Sequence, residues 1–268
     1  MRMRLKQNAR MFPAALFFGL WLSWSYVNPY GGVTSLSSLV CQLSGARGDF
    51  SLEINLHALL DLTLRLLPSL IFQALAGISL YRHTCTASVY VFSRMPNRLK
   101  WYGKECGILA LQTLLYQALV LAAAIGVSAV RWTVTDVAHG LPVLLCHLLI
   151  WSLWTFAFTL EVNLLAIFVG SSTAFAALAA VQMVCISALI VLNRLEDNPA
   201  LAQLVKRVNP ITCLILSWQT SRFTPLGGGG IYLEDSLALV LILAAGVAVL
   251  GGHLVERHDL LVSHSDGG

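Results

Sequence analysis

Four side chains that could do chemistry lie inside long apolar stretches of the sequence. Asp61 and Arg65 are four residues apart, so on a helix they share one face and can form an ion pair. Glu161 lies in the stretch FTLEVNLLAIF, with Asn163 nearby and no basic residue in the same apolar segment. Ionisable side chains within a membrane are costly and are functional candidates by default. These four residues are therefore the candidate intramembrane polar site.

Each of these two sets has two interpretations. Asp61 and Arg65 form either a self-satisfied ion pair near the outer interface, or part of a substrate path or of a contact with a second subunit. Glu161 either acts in function or makes a structural hydrogen bond to a neighbouring helix. Both alternatives stay open for each set.

This chain lacks the sequence motifs of several enzyme and cofactor classes. A P-loop reads G-x-x-x-x-G-K-[ST], but the only Gly-Lys pair, Gly103-Lys104, is followed by Glu105, and Arg98 stands where the first glycine belongs. The sequence has no C-x-x-C pair that would indicate zinc, and no facing histidines at matched depth that would indicate haem. It also lacks a convergent set of catalytic groups, such as paired aspartates or H-E-x-x-H. We expect no catalytic residue, no metal and no cofactor in this chain.

The composition is that of an integral membrane protein. The 268-residue chain is 57% hydrophobic and 11% charged, with a mean hydropathy of +0.75, whereas a soluble domain carries about 25% charged residues. A membrane-spanning helix needs about 20 mostly apolar residues. We predict an all-α fold with a single transmembrane domain over residues 1–268. Its six spans are about 11–27, 57–80, 105–130, 141–169, 173–192 and 236–254.

Basic residues predict the orientation of the chain. The N-terminus, MRMRLKQNAR, precedes an apolar run that is long for a signal peptide, and no A-x-A cleavage site follows it, so we expect an uncleaved first span. The loop after the second span is also basic, and positive charge in short loops stays on the cytoplasmic side. We therefore predict a multi-pass protein of the cell membrane with both termini in the cytoplasm.

Three further features have two interpretations each. Cys41 and Cys213 lie in predicted outer segments, so a disulfide between them is one option and two free thiols the other. The fifth span is rich in glycine and alanine, which suits close packing within the subunit or a dimer seam. Residues 200–223 predict two short re-entrant outer helices before the sixth span, or a surface helix lying on the membrane.

A basic cytoplasmic segment, VYVFSRMPNRLKWYGKE at residues 89–105, joins the second and third spans. Its second half is explained by membrane anchoring, since Trp101 and Tyr102 suit the headgroup level and Lys104 can reach the lipid phosphates. Its first half predicts a short helix with an apolar face, which Pro96 ends, followed by arginines. Such a face below the membrane indicates a docking site for another protein.

The layout of nearly the whole chain has a counterpart in a known family. A basic N-terminus is followed by a second span ending in GISLYR, the loop R-x-P-x-R-x-K-W-Y, the tight turn VGSSTAF and the outer segment VNPITCLILSWQ. This layout resembles the permease subunits of ABC-2 type transporters, particularly the small six-span bacterial ones. In that family, similar re-entrant outer helices help to shape the outer gate.

The resemblance implies a transport subunit, not an enzyme, that exports a hydrophobic or amphipathic substrate such as a peptide or drug. It implies a coupling helix between spans two and three that contacts a separate ATP-binding cassette subunit through Tyr90, Val91, Phe92, Arg94 and Arg98. ATP and Mg would bind to that partner. The other implied partners are a second permease subunit, identical or sister, and the lipid bilayer, not nucleic acid. The competing hypotheses are a stand-alone membrane immunity or sensor protein without an ATPase, and an intramembrane enzyme.

Overall fold

The computed structural model describes residues 2–44, 56–77, 81, 98–191, 199–222, 226 and 231–257, and over these residues the chain is mostly helical. The helices are α1 (Arg2–Tyr26), α2 (Leu36–Ser44), α3 (Leu56–Ala76), α4 (Arg98–Arg131), α5 (Val137–Val169), α6 (Ser171–Val191), α7 (Pro199–Val208) and α8 (Leu233–Arg257). Two 3-10 turns, Thr212–Leu214 and Leu216–Trp218, lie between α7 and α8.

Four of the described helices are long and apolar enough to cross a membrane, namely α4, α5, α6 and α8. They coincide with the third to sixth predicted spans, although α4 already begins at Arg98 instead of residue 105. α1 and α3 lie at the first two predicted apolar segments. The chain is thus a mainly helical protein with apolar helices of spanning length, as its composition predicts.

Two short parallel ladders accompany the helices, which the all-α prediction did not include. The strands are β1 (Gly32–Ser35), β2 (Trp132–Thr135), β3 (Gln219–Thr220) and β4 (Ile231–Tyr232). β1 pairs with β2 and β3 with β4. The first ladder forms because α1 and α4 end side by side, and because the β-branched residues of GVTS and WTVT favour strand structure. We call the end of the bundle that carries these ladders and α2 the sheet end.

α1 packs closely along α4 in the same direction. A Cβ atom on Gly19 would lie 2.6 Å from both Val120 O and Ala123 Cβ. About one turn further along both helices, Ser23 Oγ and Ser128 Oγ form a buried hydrogen bond of 2.8 Å. Small residues allow two helices to approach this closely. The glycine therefore fixes the distance between α1 and α4, and the serine pair fixes their register.

α5 is the central helix of the bundle. It packs against α2, α3, α4, α6 and α8, and most of its residues from Ile150 to Leu164 are buried. Gly170 alone separates α5 from α6 and has a φ of 82°, in the region that glycine adopts most readily. The tight turn predicted at VGSSTAF is confirmed.

The small residues of α6 do not all pack within the subunit. Ala174 is fully buried, whereas Ala176, Ala177 and Ala180 are exposed. Close packing inside the chain therefore uses only part of this stripe, and a dimer seam along the rest stays a prediction.

Trp101 and Tyr102 are buried in the bundle and are not exposed anchors, while their depth at the headgroup level stays a prediction. Their exposed fractions are 8% and 4%. A Cβ atom on Gly251 of α8 would collide with the Tyr102 hydroxyl, so the glycine makes room for this ring between two helices. Lys104 is exposed, as expected for a residue that reaches the lipid phosphates.

Cys41 and Cys213 are free thiols, so the disulfide option is wrong. Cys41 lies half-buried on α2, whereas Cys213 is buried in the first 3-10 turn, beside Ser236 of α8. Burial raises the pKa of each thiol to about 11. Both groups therefore stay protonated at neutral pH and are poor nucleophiles.

Candidate functional site: a buried polar network

Polar side chains recur every four residues on two helices that contact each other. On α3 they are Asp61, Arg65, Ser69 and Gln73, and on α5 they are His147, Trp151, Thr155, Thr159 and Asn163. Residues four apart share a helical face, so each helix presents one polar stripe. We define the buried polar network as Ser69, Gln73, Gln117, Trp151, Thr155, Thr159, Asn163 and Gln182. None of these side chains is more than 5% exposed.

Ser69 is the centre of the network. Its hydroxyl oxygen accepts hydrogen bonds from Trp151 Nε1 at 2.8 Å and from Gln117 Nε2 at 3.0 Å, and it lies 3.1 Å from Thr155 Oγ1. Gln117 Nε2 also donates to Thr155 Oγ1 at 2.9 Å. An unpaired polar group in such an interior costs about 1–3 kcal/mol. These bonds therefore fix the relative positions of α3, α4 and α5.

Two amide side chains extend the network away from the sheet end. Gln182 Nε2 of α6 donates to Gln73 Oε1 of α3 at 2.9 Å. Asn163 Nδ2 donates to Thr159 O at 2.8 Å and to Ala76 O at 3.4 Å, while Asn163 Oδ1 accepts from the backbone N–H of Tyr81 at 3.3 Å. Polar contacts between α3 and α5 thus extend from Ser69 to the C-terminal end of α3.

Arg65 lies at the sheet end of the α3 stripe and carries a buried charge. Its Nε donates to Asp61 Oδ2 at 3.0 Å, so the predicted ion pair forms. One terminal nitrogen donates to Gln42 O at 2.8 Å and to Leu43 O at 2.9 Å, at the C-terminal end of α2. The guanidinium also lies 3.8 Å from the centre of the Tyr26 ring. A cation suits helix C-terminal carbonyls, so Arg65 joins α1, α2 and α3.

His147 borders a small cavity between Arg65 and the buried polar network. Its side chain is 1% exposed, and neither ring nitrogen has a hydrogen-bond partner among the residues that the structure describes. The cavity has a volume of about 20 Å³. It is also lined by Arg65, Trp151 and apolar residues of α2, α3 and the stretch 211–215. This volume suffices for about one water molecule.

A buried turn segment, residues 209–220, closes this cavity at the sheet end. Asn209 holds its start, because Asn209 Nδ2 donates to Cys185 O at 2.7 Å and Asn209 Oδ1 accepts from Ile211 N at 2.9 Å. Gln219 holds its end through a hydrogen bond from Nε2 to Cys213 O at 2.7 Å. Non-helical backbone in an apolar interior needs such partners. The side chains of Asn209 and Gln219 therefore allow this segment to be buried.

The buried turn segment differs from the two re-entrant helices that the sequence predicts. Only the part before Asn209 is an α-helix, α7, and the apolar part that follows forms two 3-10 turns. The physical reason is that Pro210 interrupts the helix and that side chains of Asn209 and Thr212 bind nearby backbone groups.

The predicted coupling residues Tyr90, Val91, Phe92 and Arg94 lie outside the described residues. Arg98 is the first residue of α4 and is half-buried. The coupling helix therefore stays a prediction.

Glu161 and Asn163 do not form one site. Asn163 belongs to the buried polar network, whereas Glu161 is half-buried and has no hydrogen bond or ion pair to the described part of the chain. The two differ because residues two apart point to different sides of a helix. The hydrogen bond to a neighbouring helix that we considered for Glu161 is made by Asn163.

Sequence reasoning from charged residues missed most of the network. Ser69, Gln117, Thr155 and Gln182 are uncharged, and each is unremarkable alone in an apolar segment. The sequence pattern that could have indicated the network is the four-residue spacing of polar residues on α3 and α5. On α3 this spacing starts at the charged pair Asp61 and Arg65.

The described ranges contain no group of three or more His, Cys, Asp and Glu side chains that could hold a metal ion. The candidate site in the described part of the chain is the buried polar network. Comparison with protein-family models, curated proteins and solved structures gives no match.

Proposed function

We propose that this chain is the permease subunit of an ABC-2 type transporter that exports a hydrophobic or amphipathic substrate, such as a peptide or drug. The observation that carries the proposal is the buried polar network between α3 and α5, inside a bundle of apolar helices. Polar side chains in a membrane are costly, and those that face a bundle interior often line a substrate path. The network would line such a path once α3 and α5 separate.

The proposal includes a six-span topology in the cell membrane. α1 and α3 would span together with α4, α5, α6 and α8, and both termini would be cytoplasmic. The sheet end, with the buried turn segment, would then face outward. Basic residues at the N-terminus and in the loop after α3 support this orientation.

The connection between α3 and α4 suggests how ATP could drive the separation. The predicted docking segment, residues 89–98, joins these two helices, and both contribute to the hydrogen bonds at Ser69. A separate ATP-binding cassette subunit, which holds ATP and Mg, would contact Tyr90, Val91, Phe92, Arg94 and Arg98. Closure of that subunit would move α3 and α4 against α5. A second permease subunit, identical or sister, would complete the transporter.

Co-purification with ATPases encoded near this gene tests the proposal. The wild-type chain should retain one of them and stimulate or regulate its ATP hydrolysis. Phe92→Ala and Arg94→Ala should each weaken this binding, because both change the predicted docking surface. Lys100→Ala is the matched control, since Lys100 is an exposed basic residue at the start of α4 that is not assigned to docking.

Two results would argue against parts of the proposal. If the wild-type chain retains no ATPase, the transporter function is wrong and a stand-alone immunity or sensor protein is favoured. If binding occurs but Phe92→Ala and Arg94→Ala bind as well as Lys100→Ala, the docking assignment is wrong and the transporter function stands.

A further inference from the structure

A second pocket lies at the sheet end, between the C-terminal end of α7 and the start of α8. Its volume is about 220 Å³, and its lining includes the polar or charged residues Lys206, Arg207, Thr212, Asp235 and Ser236. It is separate from the cavity at His147, with which it shares no lining residue.

The lining has an excess of positive charge. It contains two cations, Lys206 and Arg207, and one carboxylate, Asp235, which already lies 3.5 Å from the guanidinium of Arg222. Lys206 is half-buried, and burial lowers the pKa of its amine, because the charged form is less well hydrated there. An anion in the pocket would stabilise this charge.

The neighbouring face of α7 is apolar and exposed. Leu201, Leu204 and Val208 lie on one stripe of the helix, with exposed fractions of 42%, 57% and 63%. Lys206 lies on the opposite side of α7, and Arg207 lies at the flank. A helix of this kind lies along a membrane surface, with its apolar face in the acyl region and its cations at the headgroups.

We propose that this pocket binds the phosphate headgroup of an anionic phospholipid from the leaflet at the sheet end. Lys206 and Arg207 would hold the phosphate, and the buried Ser236 hydroxyl would be able to donate to it. The acyl chains would lie along Leu201, Leu204 and Val208. The ligand is a lipid and not a soluble anion, because Arg207, which lines the pocket, also flanks the exposed apolar stripe. This inference does not depend on the proposed function.

Native mass spectrometry of the full-length, detergent-solubilised chain tests the site. Dioleoyl phosphatidylglycerol and dioleoyl phosphatidylcholine, which carry the same acyl chains, are titrated separately. The wild-type chain should retain the anionic lipid more tightly. A cation near a membrane surface changes affinity for anionic lipid about fivefold, so Arg207→Gln should lose about fivefold and Lys206→Gln/Arg207→Gln about 25-fold.

Arg131→Gln is the matched control. Arg131 is an exposed arginine at the sheet end that contacts Trp24 and does not line the pocket. This control should keep the lipid preference, and Arg207→Gln, which changes an exposed residue, should keep the fold. A further arm adds millimolar inorganic phosphate, which should not displace the bound lipid.

Three outcomes would overturn the inference. The first is an equal preference for both lipids in the wild-type chain. The second is an unchanged preference in Arg207→Gln and in the double variant, or an equal loss in Arg131→Gln. The third is displacement of the lipid by inorganic phosphate, which would indicate a site for soluble anions.

Discussion

Ser69 is the residue whose replacement tests the buried polar network most simply. Ser69→Ala removes the acceptor of Trp151 Nε1 and one of the two acceptors of Gln117 Nε2. Hydrogen bonds between membrane helices contribute about 0.6 kcal/mol on average, and an unpaired buried donor costs about 1–3 kcal/mol. We expect a loss of about 1–2 kcal/mol in the free energy of unfolding, measured as a lower melting temperature in detergent.

Ser152→Ala is the control for this change. Ser152 is 5% exposed on the same helix as Trp151, and its hydroxyl has no hydrogen-bond partner within the described ranges. Its loss should not lower the stability, because the hydroxyl that it removes has no hydrogen bond within the described ranges to lose. Equal melting temperatures for the two variants would mean that the hydrogen bonds at Ser69 add no stability.

The thiols of Cys41 and Cys213 give a prediction with a defined pH dependence. Burial raises the pKa of each from 9.0 to about 11, and only the thiolate reacts with maleimide. Near pH 7.5 the thiolate fraction is about 100-fold below that of an unshifted thiol, so both should react slowly in the folded chain and faster as the pH rises.

Denaturation without a reductant checks the free-thiol assignment for the same two residues. Both Cys41 and Cys213 should then be alkylated completely, as counted by mass spectrometry of the peptides. If both become reactive only after a reductant is added, they form a disulfide and the structure is wrong at this point.

At the scale of single elements, the contact between α1 and α4 depends on Gly19. Gly19→Ala places a Cβ atom 2.6 Å from Val120 O and Ala123 Cβ, which forces the helices apart. Overpacking of this kind costs about 1–3 kcal/mol, which thermal unfolding in detergent would detect. Gly126→Ala on α4 is the control, because nothing lies within 4 Å of the new Cβ atom. Equal stability of the two variants would contradict the close packing.

The sequence predicted the helices well and their ends less well. Apolar length alone located the third to sixth spans, because each forms one long helix. It placed the start of α4 at residue 105, since Arg98, Lys100 and Lys104 make its first turns too polar to resemble a span. The two ladders could not be predicted, since β1 and β2 pair only because α1 and α4 bring them together.

The polar stripes on α3 and α5 and the buried polar network were only partly predictable, for a related reason. The ion pair of Asp61 and Arg65 could be expected from their spacing within α3. The bonds from Ser69 to Gln117 and Trp151 join three helices whose neighbours no local pattern specifies. Glu161 is a candidate because of its charge, but Asn163 makes the hydrogen bond between helices.

At the scale of the whole molecule, the proposed transport function would use three features in sequence. The predicted docking segment joins α3 to α4, the buried polar network joins both to α5, and the buried turn segment closes the route at the sheet end. We therefore expect that ATP binding by the proposed partner subunit separates α3 from α5 at the buried polar network. If the buried polar network is only structural, α3 and α5 will stay in contact with and without ATP.

The reactivity of a cysteine at position 155 distinguishes these two possibilities. Thr155→Cys is placed in a chain without native cysteines. The chain is reconstituted with the ATPase that co-purifies with it and is treated with a membrane-impermeant thiol reagent. Val33→Cys, at an exposed position in β1, is the control that should react in all states.

The expected result is that Cys at position 155 reacts at least about tenfold faster when ATP is added, because the fully buried position then becomes accessible to water. Val33→Cys should react equally with and without ATP. A complex that hydrolyses ATP while Thr155→Cys stays as unreactive as it is without ATP would contradict a transport path between α3 and α5.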